Sequence, residues 1–267
     1  MLSIFVKLLK KTLKKYLVLR YFNQKLDFFL KKKIPEAFVI INELKVNTSV
    51  DVGSNTGKWT YYLSKVSARV ISFEPTFLLF KLNKKLFSNI KKITTFNFAL
   101  GSVNASAIIR VPDFNLDEAS IGKKFNSQVQ ISKESVRIVR GDTILKNKKI
   151  DLIKIDVEGY EVEVLRGLQT TIKNKIPILI VEIEKRHNPL FLLSFKKLKL
   201  YGYLVFYQKN NRLHLIKSNY KKFIISNQKI KNNIYIHDFW FINKKSHLYK
   251  QLTPYLVHCL HDLKKNL

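Results

Sequence analysis

Six carboxylates stand where an apolar run gives way: Asp51, Glu74, Asp156, Glu158, Glu182 and Glu184, with Gly53 and Gly57 just beyond the first of them. A strand-end carboxylate can take hydrogen bonds from amines and hydroxyls, accept a proton, or hold a cation. Glycines let a backbone approach a ligand closely. The run Val50-Asp51-Val52-Gly53-Ser54-Asn55-Thr56-Gly57 closes an apolar segment with a glycine-punctuated loop, and seventeen residues past Gly57 comes Glu74, within Ser72-Phe73-Glu74-Pro75. Strand, glycine turn, helix, strand and acid make half of a nucleotide-binding βαβ unit, in which Glu74 reaches the two hydroxyls of a ribose. A third segment, Ile153-Lys154-Ile155-Asp156-Val157-Glu158-Gly159, sets more acids at another strand end.

Taken singly, each acid has a plainer use. A strand-end acid is more often a helix cap or a surface charge. Asp51 can hold the glycine turn, and Glu158 can favour a following helix dipole. Lys154 interrupts an apolar strand; if buried it needs an acid partner, and Asp156 lies two residues on, on the same face. Recurrence at four strand ends argues for a shared site, since ligands of such sheets gather at the carboxyl ends of the strands.

The elements that must position these residues alternate. Strands are predicted over Ser49 to Gly53, Arg69 to Glu74, Ile93 to Leu100, Asp151 to Asp156 and Pro177 to Ile183, with later ones at Tyr203 to Tyr207 and Ile234 to Ile242. Extra strands are read at Ala107 to Val111 and, weakly, at Ser135 to Val139. Helices are predicted over Thr56 to Ser64, after Pro75 with Phe77, Phe80, Leu82 and Leu86 as its apolar residues, over Tyr160 to Ile172 with Val162, Leu165 and Leu168 inward, and from about Pro189 to Leu200. Phe114 to Gln130 is a polar insertion without a period. This repetition implies a mostly parallel sheet covered on both faces. Residues 1–35 form a separate basic amphipathic helical extension, with Phe5, Leu9, Leu13 and Leu17 as its stripe and lysines opposed; residues 36–267 form the main domain. The stripe suits a cap on the core, with peripheral contact to an anionic membrane surface as the second reading.

Composition sets limits. The chain has 267 residues, 49 Lys and Arg against 19 Asp and Glu, and a net charge of +30. Such a surface suits polyanionic partners, but the lysines are spread along the chain in pairs, and no finger, basic zipper or aromatic-basic ribonucleoprotein motif argues for nucleic acid. The single cysteine, Cys259, excludes an internal disulfide framework and a thiolate metal cluster, and sets a cytoplasmic location as the expectation. No apolar run is long enough to span a bilayer, and lysines interrupt any signal-peptide centre.

The loop reads GxxxG, so the pyrophosphate fingerprint of nicotinamide and flavin enzymes is incomplete, and no P-loop is present. A ligand with ribose and adenine but no phosphate fits better, which points to S-adenosylmethionine and leaves an NAD-dependent oxidoreductase as an alternative.

From about Ser49 to Glu184 the chain resembles the FkbM-type methyltransferase family. The resemblance rests on DVGSNTG (Asp51 to Gly57), SFEP (Ser72 to Pro75), NFALG (Asn97 to Gly101), the Glu118-Ala119-Ser120 segment, the Asp142-Thr143 turn, IKIDVEGYEVEVLRG (Ile153 to Gly167) and PILIVEIE (Pro177 to Glu184). It departs from the family at Ser54, where alanine is usual, and at Arg140-Gly141-Asp142, where Thr-Leu-Asp is usual. The resemblance implies a Rossmann-like class I fold with a mostly parallel seven-stranded sheet. It implies that Asp51, Gly53, Asn55 and Gly57 contact or shape the methionine end of S-adenosylmethionine, that Glu74 takes the ribose hydroxyls, and that Asn97 and Ala99, at the end of strand three, line the adenine side. It also implies O-methylation of a hydroxyl on a sugar, glycan or related metabolite, with a non-catalytic nucleoside- or glycan-binding module of the same fold as the other reading. Asp156 is the first candidate for base or Mg²⁺ ligand, with Glu182 as its partner in either role and His187 as a weaker base. The acceptor falls to Phe114 to Gln130 and Pro189 to Leu267, where Tyr207, Trp240 and Phe241 can either stack on a sugar or belong to the core; the positive surface suits a phosphorylated or lipid-linked acceptor.

Overall fold

The computed structural model describes residues 35–112, 118–121, 130–217, 219–228 and 235–257. Residues 36–267 belong to one compact unit. The expected N-terminal helix, most of the 114–130 insertion and Cys259 lie outside the described residues.

In chain order the first elements are α1 (Phe38–Ile41), β1 (Val46–Val52), α2 (Lys58–Val66), β2 (Ser67–Phe73), α3 (Phe77–Leu86), β3 (Ile93–Phe96), β4 (Ala99–Gly101), β5 (Ala105–Pro112) and β6 (Ile131–Arg140). There follow α4 (Gly141–Leu145), β7 (Leu152–Ile155), α5 (Glu161–Gly167), α6 (Gln169–Lys175), β8 (Ile178–Glu182) and α7 (Leu192–Leu200). The chain continues through β9 (Leu204–Lys209), β10 (Arg212–Leu215), α8 (Tyr220–Asn227), β11 (Asp238–Ile242), α9 (Tyr249–Leu252) and β12 (Leu256–Val257).

The main sheet runs β12-β10-β9-β11-β8-β7-β1-β2-β3. The strands from β3 to β8 in that order pair in parallel, while β11 is antiparallel to both β8 and β9. The seven expected strands are thus present, and β10 and β12 extend the far edge. The central strands read as continuous apolar runs because both their faces are covered. Ile153, Ile155, Leu179 and Val181 pack on one side with Leu165, Leu168 and Phe195; Leu152, Ile178 and Ile180 pack on the other with Ile40, Leu63 and Trp240. This alternation is the period of two that a pleated strand imposes.

Three expectations are corrected. Strand three stops at Phe96, and Ala99 begins β4, which pairs with β6 in a separate three-stranded sheet, β4-β6-β5. The Asn97 side-chain amide donates to the carbonyls of Glu74 and Pro75, both at 2.9 Å, where the chain leaves the first sheet. The helix over 160–172 is two, α5 and α6, meeting at Leu168. On α3 the buried residues are Leu79 and Asn83, while Phe77 and Leu86 are exposed. Of the two readings open for Trp240 and Phe241, the core one holds: both are fully buried.

Candidate active site

The glycine loop begins where β1 ends, between its neighbours β2 and β7. The backbone N–H groups of Gly53 and Ser54 both donate to the Phe73 carbonyl at 3.0 Å, which ties the loop to the end of β2. Gly53 has φ +82°, and a Cβ there would lie 1.9 Å from the carbonyl oxygen of Asp156. No side chain fits between these two strand ends. Gly57 has φ +86° and caps α2; its Cβ would lie 2.5 Å from Asn83 Oδ1. Asn83 explains its own burial, since its Nδ2 donates to Ser54 Oγ at 2.9 Å and to the Asn55 carbonyl at 3.0 Å. Asn55 (φ +50°), Glu158 (φ +49°) and Gly159 (φ +100°) also adopt left-handed backbone, so strained residues gather in the loops after β1 and β7. Such strain persists only where surrounding contacts hold it.

Asp51 is fully buried. Its Oδ2 accepts from Thr60 Oγ1 at 2.6 Å, while Oδ1 is buried with no hydrogen-bond partner. Burial pushes its pKa up to about 7, against the lowering effects of the Thr60 hydrogen bond and the Lys154 charge. Glu74 is buried behind the same loop; Oε2 accepts from the Asn55 N–H at 2.7 Å and Oε1 from the Thr76 N–H at 2.8 Å. Burial pushes it also up to about 7, with both backbone hydrogen bonds pulling the other way. Glu74 therefore holds the loop in shape, and each of its oxygens keeps a second lone pair for a ligand hydroxyl. Asn97 holds the turn after Glu74, and Ala99 lies buried in β4 beyond it.

A second group of charges fills the carboxyl ends of β7 and β8 and the start of β11. Lys154 is fully buried, and its Nζ lies 2.8 Å from Asp238 Oδ1, 3.6 Å from Asp156 Oδ2 and 3.8 Å from Glu182 Oε2. The Trp59 ring covers it at 5.2 Å. The expected Lys154–Asp156 pairing is present, but Asp238 is the nearer partner. Those three carboxylates are 28%, 28% and 20% exposed for Asp156, Asp238 and Glu182, so they line an opening while the ammonium sits beneath. Burial, and then the like charge of Glu182, raise the Asp156 pKa well above the usual carboxylate range despite Lys154. Burial also works to raise Asp238, but Lys154 and His237 outweigh it and hold this carboxyl low. His237 Nδ1 lies 3.4 Å from Glu182 Oε2. Burial disfavours its charged form, yet the facing Glu182 carboxylate and the neighbouring Asp238 push it up to about 9.

His187 stands behind this group. Its Nδ1 is 2.5 Å from Glu158 Oε2 and its Nε2 is 3.8 Å from Glu184 Oε2, with the ring almost wholly buried. Ser120 Oγ donates to the Glu158 carbonyl at 2.7 Å, which ties the 118–121 segment to the same loop. Asp142 serves neither cluster: it accepts from the Thr170 and Thr171 N–H groups and from Thr171 Oγ1, at the start of α6.

Asp156, Glu158 and Glu182 can bring one oxygen each within 4.8 Å of one another, as can Glu182, His237 and Asp238 for their ligand atoms. A divalent ion on Asp156 and Glu182 would sit beside a buried ammonium already paired with the same carboxylates. Like charges at that separation repel strongly. This donor set does not fit Mg²⁺. The sequence reading missed Thr60, Asn83, His237 and Asp238. Only Asn83 leaves a trace, as the polar residue four positions past buried Leu79 on α3.

The family description "Methyltransferase FkbM domain" matches residues 51–205. "Methyltransferase 1" of the fungus Beauveria bassiana (strain ARSEF 2860) is 27% identical over 158 residues, covering 50% of this chain and 63% of that protein, less than two thirds of its length. A crystal structure of methyltransferase FkbM from Methylobacillus flagellatus superposes with a TM-score of 0.48 at 17% identity, over 74% of this chain and 44% of that one. A precorrin-6y C5,15-methyltransferase from Geobacter metallireducens gives 0.43 at 9% identity, over 79% and 92%. With its family match running from Asp51 at the glycine loop, through Glu74 and the ends of β7 and β8, to Val205, the chain belongs to the methyltransferase FkbM domain family.

Proposed function

We propose that this protein is an S-adenosylmethionine-dependent methyltransferase acting on a hydroxyl of a sugar, glycan or related metabolite. The observation that carries the reading is Asp51 Oδ1, a buried carboxylate oxygen with no partner beside a loop that only glycine can form. A buried acceptor of this kind is costly unless a donor meets it, and the ammonium of the methionine moiety is such a donor. When bound, S-adenosylmethionine supplies a methyl group on a sulfonium, so the leaving group needs no protonation. Within this reading the chain's own residues divide the remaining work. Asp51 and the loop of Gly53, Asn55 and Gly57 fix the amino-acid end, and Glu74 accepts from the ribose hydroxyls. Asn97 holds the turn after Glu74, so its effect on the adenine side is exerted through the backbone.

Asp156 is the residue suited to take the acceptor's proton. It lines the opening, its raised pKa makes it a competent base near neutral pH, and its carbonyl oxygen touches the glycine loop. Glu182 shares the charge that raises it. His187 holds Glu158 and stands back from the opening. Much of the rate would come from positioning.

The test begins with calorimetry on the full chain. S-adenosylmethionine and S-adenosylhomocysteine should bind, and NAD should not. A screen with methyl-labelled cofactor against small sugars, nucleotide-sugars, envelope glycans and RNA then seeks the acceptor. Tight NAD binding without S-adenosylmethionine binding would replace this reading with the oxidoreductase one. Cofactor binding with no labelled product from any acceptor class would favour a binding module.

A further inference from the structure

We infer that Lys154 is the resident cation of the acceptor end of the site, standing where a divalent metal would stand in a metal-dependent enzyme. The inference deepens the methyltransferase reading, but its test does not require that reading to hold.

Three strands deliver carboxylates to one point. Asp156 follows β7, Glu182 ends β8 and Asp238 begins β11, which runs the other way and so places its first residue at the same edge. All three lie within 3.8 Å of one fully buried ammonium. Lys154 reaches that point from within β7, between Asp51 on β1 and Ile180 on β8 in register. Its stem is surrounded by strands and its head by acids and the Trp59 ring. A buried charge is tolerated only when paired, and here the pairing is threefold. The positive charge is therefore covalently built in, needs no loading, and cannot exchange. Its task is that of a positioning residue: it keeps Asp238 ionised, holds Asp238 and Glu182 in place, and sets the field in which Asp156 acts.

The probe is Mn²⁺, followed by electron paramagnetic resonance on the full-length protein. Wild type should leave the free-ion signal unchanged, and EDTA should shift neither its Tm nor its S-adenosylmethionine affinity. Lys154→Met removes the charge and keeps the stem, leaving carboxylates around a vacated centre. It should bind Mn²⁺ with affinity at least about tenfold above wild type, because a neighbouring unit charge at this distance strongly opposes a dication. Carboxyl-carbon NMR should show Asp156 titrating at still higher pH in this variant. Should Lys154→Met fail to fold, Lys154→Arg preserves the charge and should bind no Mn²⁺. Stoichiometric Mn²⁺ binding by wild type, abolished in Glu182→Gln, would overturn the inference, as would a folded Lys154→Met that ignores Mn²⁺ and leaves Asp156 unmoved. Failure of the chain to bind S-adenosylmethionine would overturn the proposed function instead, and leave these readings intact.

Discussion

Asp51 and Glu74 are each buried carboxyls with pKa values near 7, and that fixes the sign of two pH effects. Both values are raised above those of the unfolded chain, so the native state binds more protons than the unfolded state between about pH 4 and 7. Their stabilising contribution is complete below the unfolded pKa values and is lost as pH rises through about 7. The ligand-free protein should therefore lose stability from pH 5 to pH 8, by an amount on the order of a few kcal/mol, read as a falling Tm. Ligand binding should move the other way. Donors arriving at Asp51 Oδ1 and Glu74 favour the ionised forms, so S-adenosylmethionine should bind more tightly at pH 8 than at pH 6, with proton release detectable as buffer-dependent calorimetric heat. Glu74→Ala should weaken binding by about 1.5–3 kcal/mol and flatten that pH dependence. A Tm that rises from pH 5 to pH 8 would contradict the assignment of these two groups. At the other cluster, Asp156→Asn should cut turnover about 10²-fold or more with little change in cofactor affinity. Near-normal turnover on the true acceptor would remove Asp156 from the chemistry.

At the scale of elements, what the sequence disclosed tracks how local each cause is. The glycine loop, β2 with Glu74, and the β7 and β8 ends are legible because their residue types are dictated by backbone conformation and by two-sided burial. The inward face of α3 was misread because Asn83 takes its place by clamping the Ser54 and Asn55 loop, a contact nearly thirty residues away that no hydrophobic period reports. The end of β3 was misplaced because Asn97 reaches back to the Glu74 and Pro75 carbonyls. Asp238 and His237 were invisible because β11 joins the site only through its antiparallel direction, which apolar patterning does not encode. The split of the helix over 160–172 follows from the same kind of distant contact. Gly167 ends α5 where a Cβ would meet the Gly101 carbonyl oxygen at 1.8 Å, so α5 packs directly on β4. Gly167→Ala should cost about 3 kcal/mol, while Asp142→Ala, which removes the acceptor at the start of α6, should cost about 1 kcal/mol. Urea midpoints would rank them, and equal effects would mean that the α5–β4 seam yields.

Among the described residues the strand-end acids favour one edge of the sheet, although Glu43 and Asp151 stand at the other. The acids Asp51, Glu74, Asp156, Glu158, Glu182, Glu184 and Asp238 collect at the carboxyl edge of the sheet. The opposite edge carries exposed lysines: Lys45 before β1, Lys91 and Lys92 before β3, Lys149 before β7, Lys173 and Lys175 before β8, and Lys244 and Lys245 after the antiparallel β11. With a net charge of +30, these lysines repel one another, and such self-repulsion opposes the compact state. The acids around Lys154 are only partly exposed and pair with a fully buried ammonium, so they feel salt less, whereas exposed lysines are screened within about 10 Å at 0.1 M salt and about 3 Å at 1 M. Added salt should therefore stabilise the protein on balance, with each kcal/mol regained raising Tm by about 2–4 °C for a domain of this size. The same lysine edge should retain the full chain on an anionic resin or on vesicles containing anionic lipid, with retention falling as salt rises. Among the described residues no helix is long and apolar enough to cross a membrane. Replacing Lys91, Lys92, Lys244 and Lys245 together by Gln should weaken vesicle binding and shrink the salt-induced rise in Tm, while leaving S-adenosylmethionine affinity unchanged because the lysines and the site lie at opposite edges. If the substituted protein binds vesicles as wild type does, the folded domain's basic edge is not the contact, and residues 1–34 with their Phe5, Leu9, Leu13 and Leu17 stripe become the segment to delete next, in a protein that begins at Pro35.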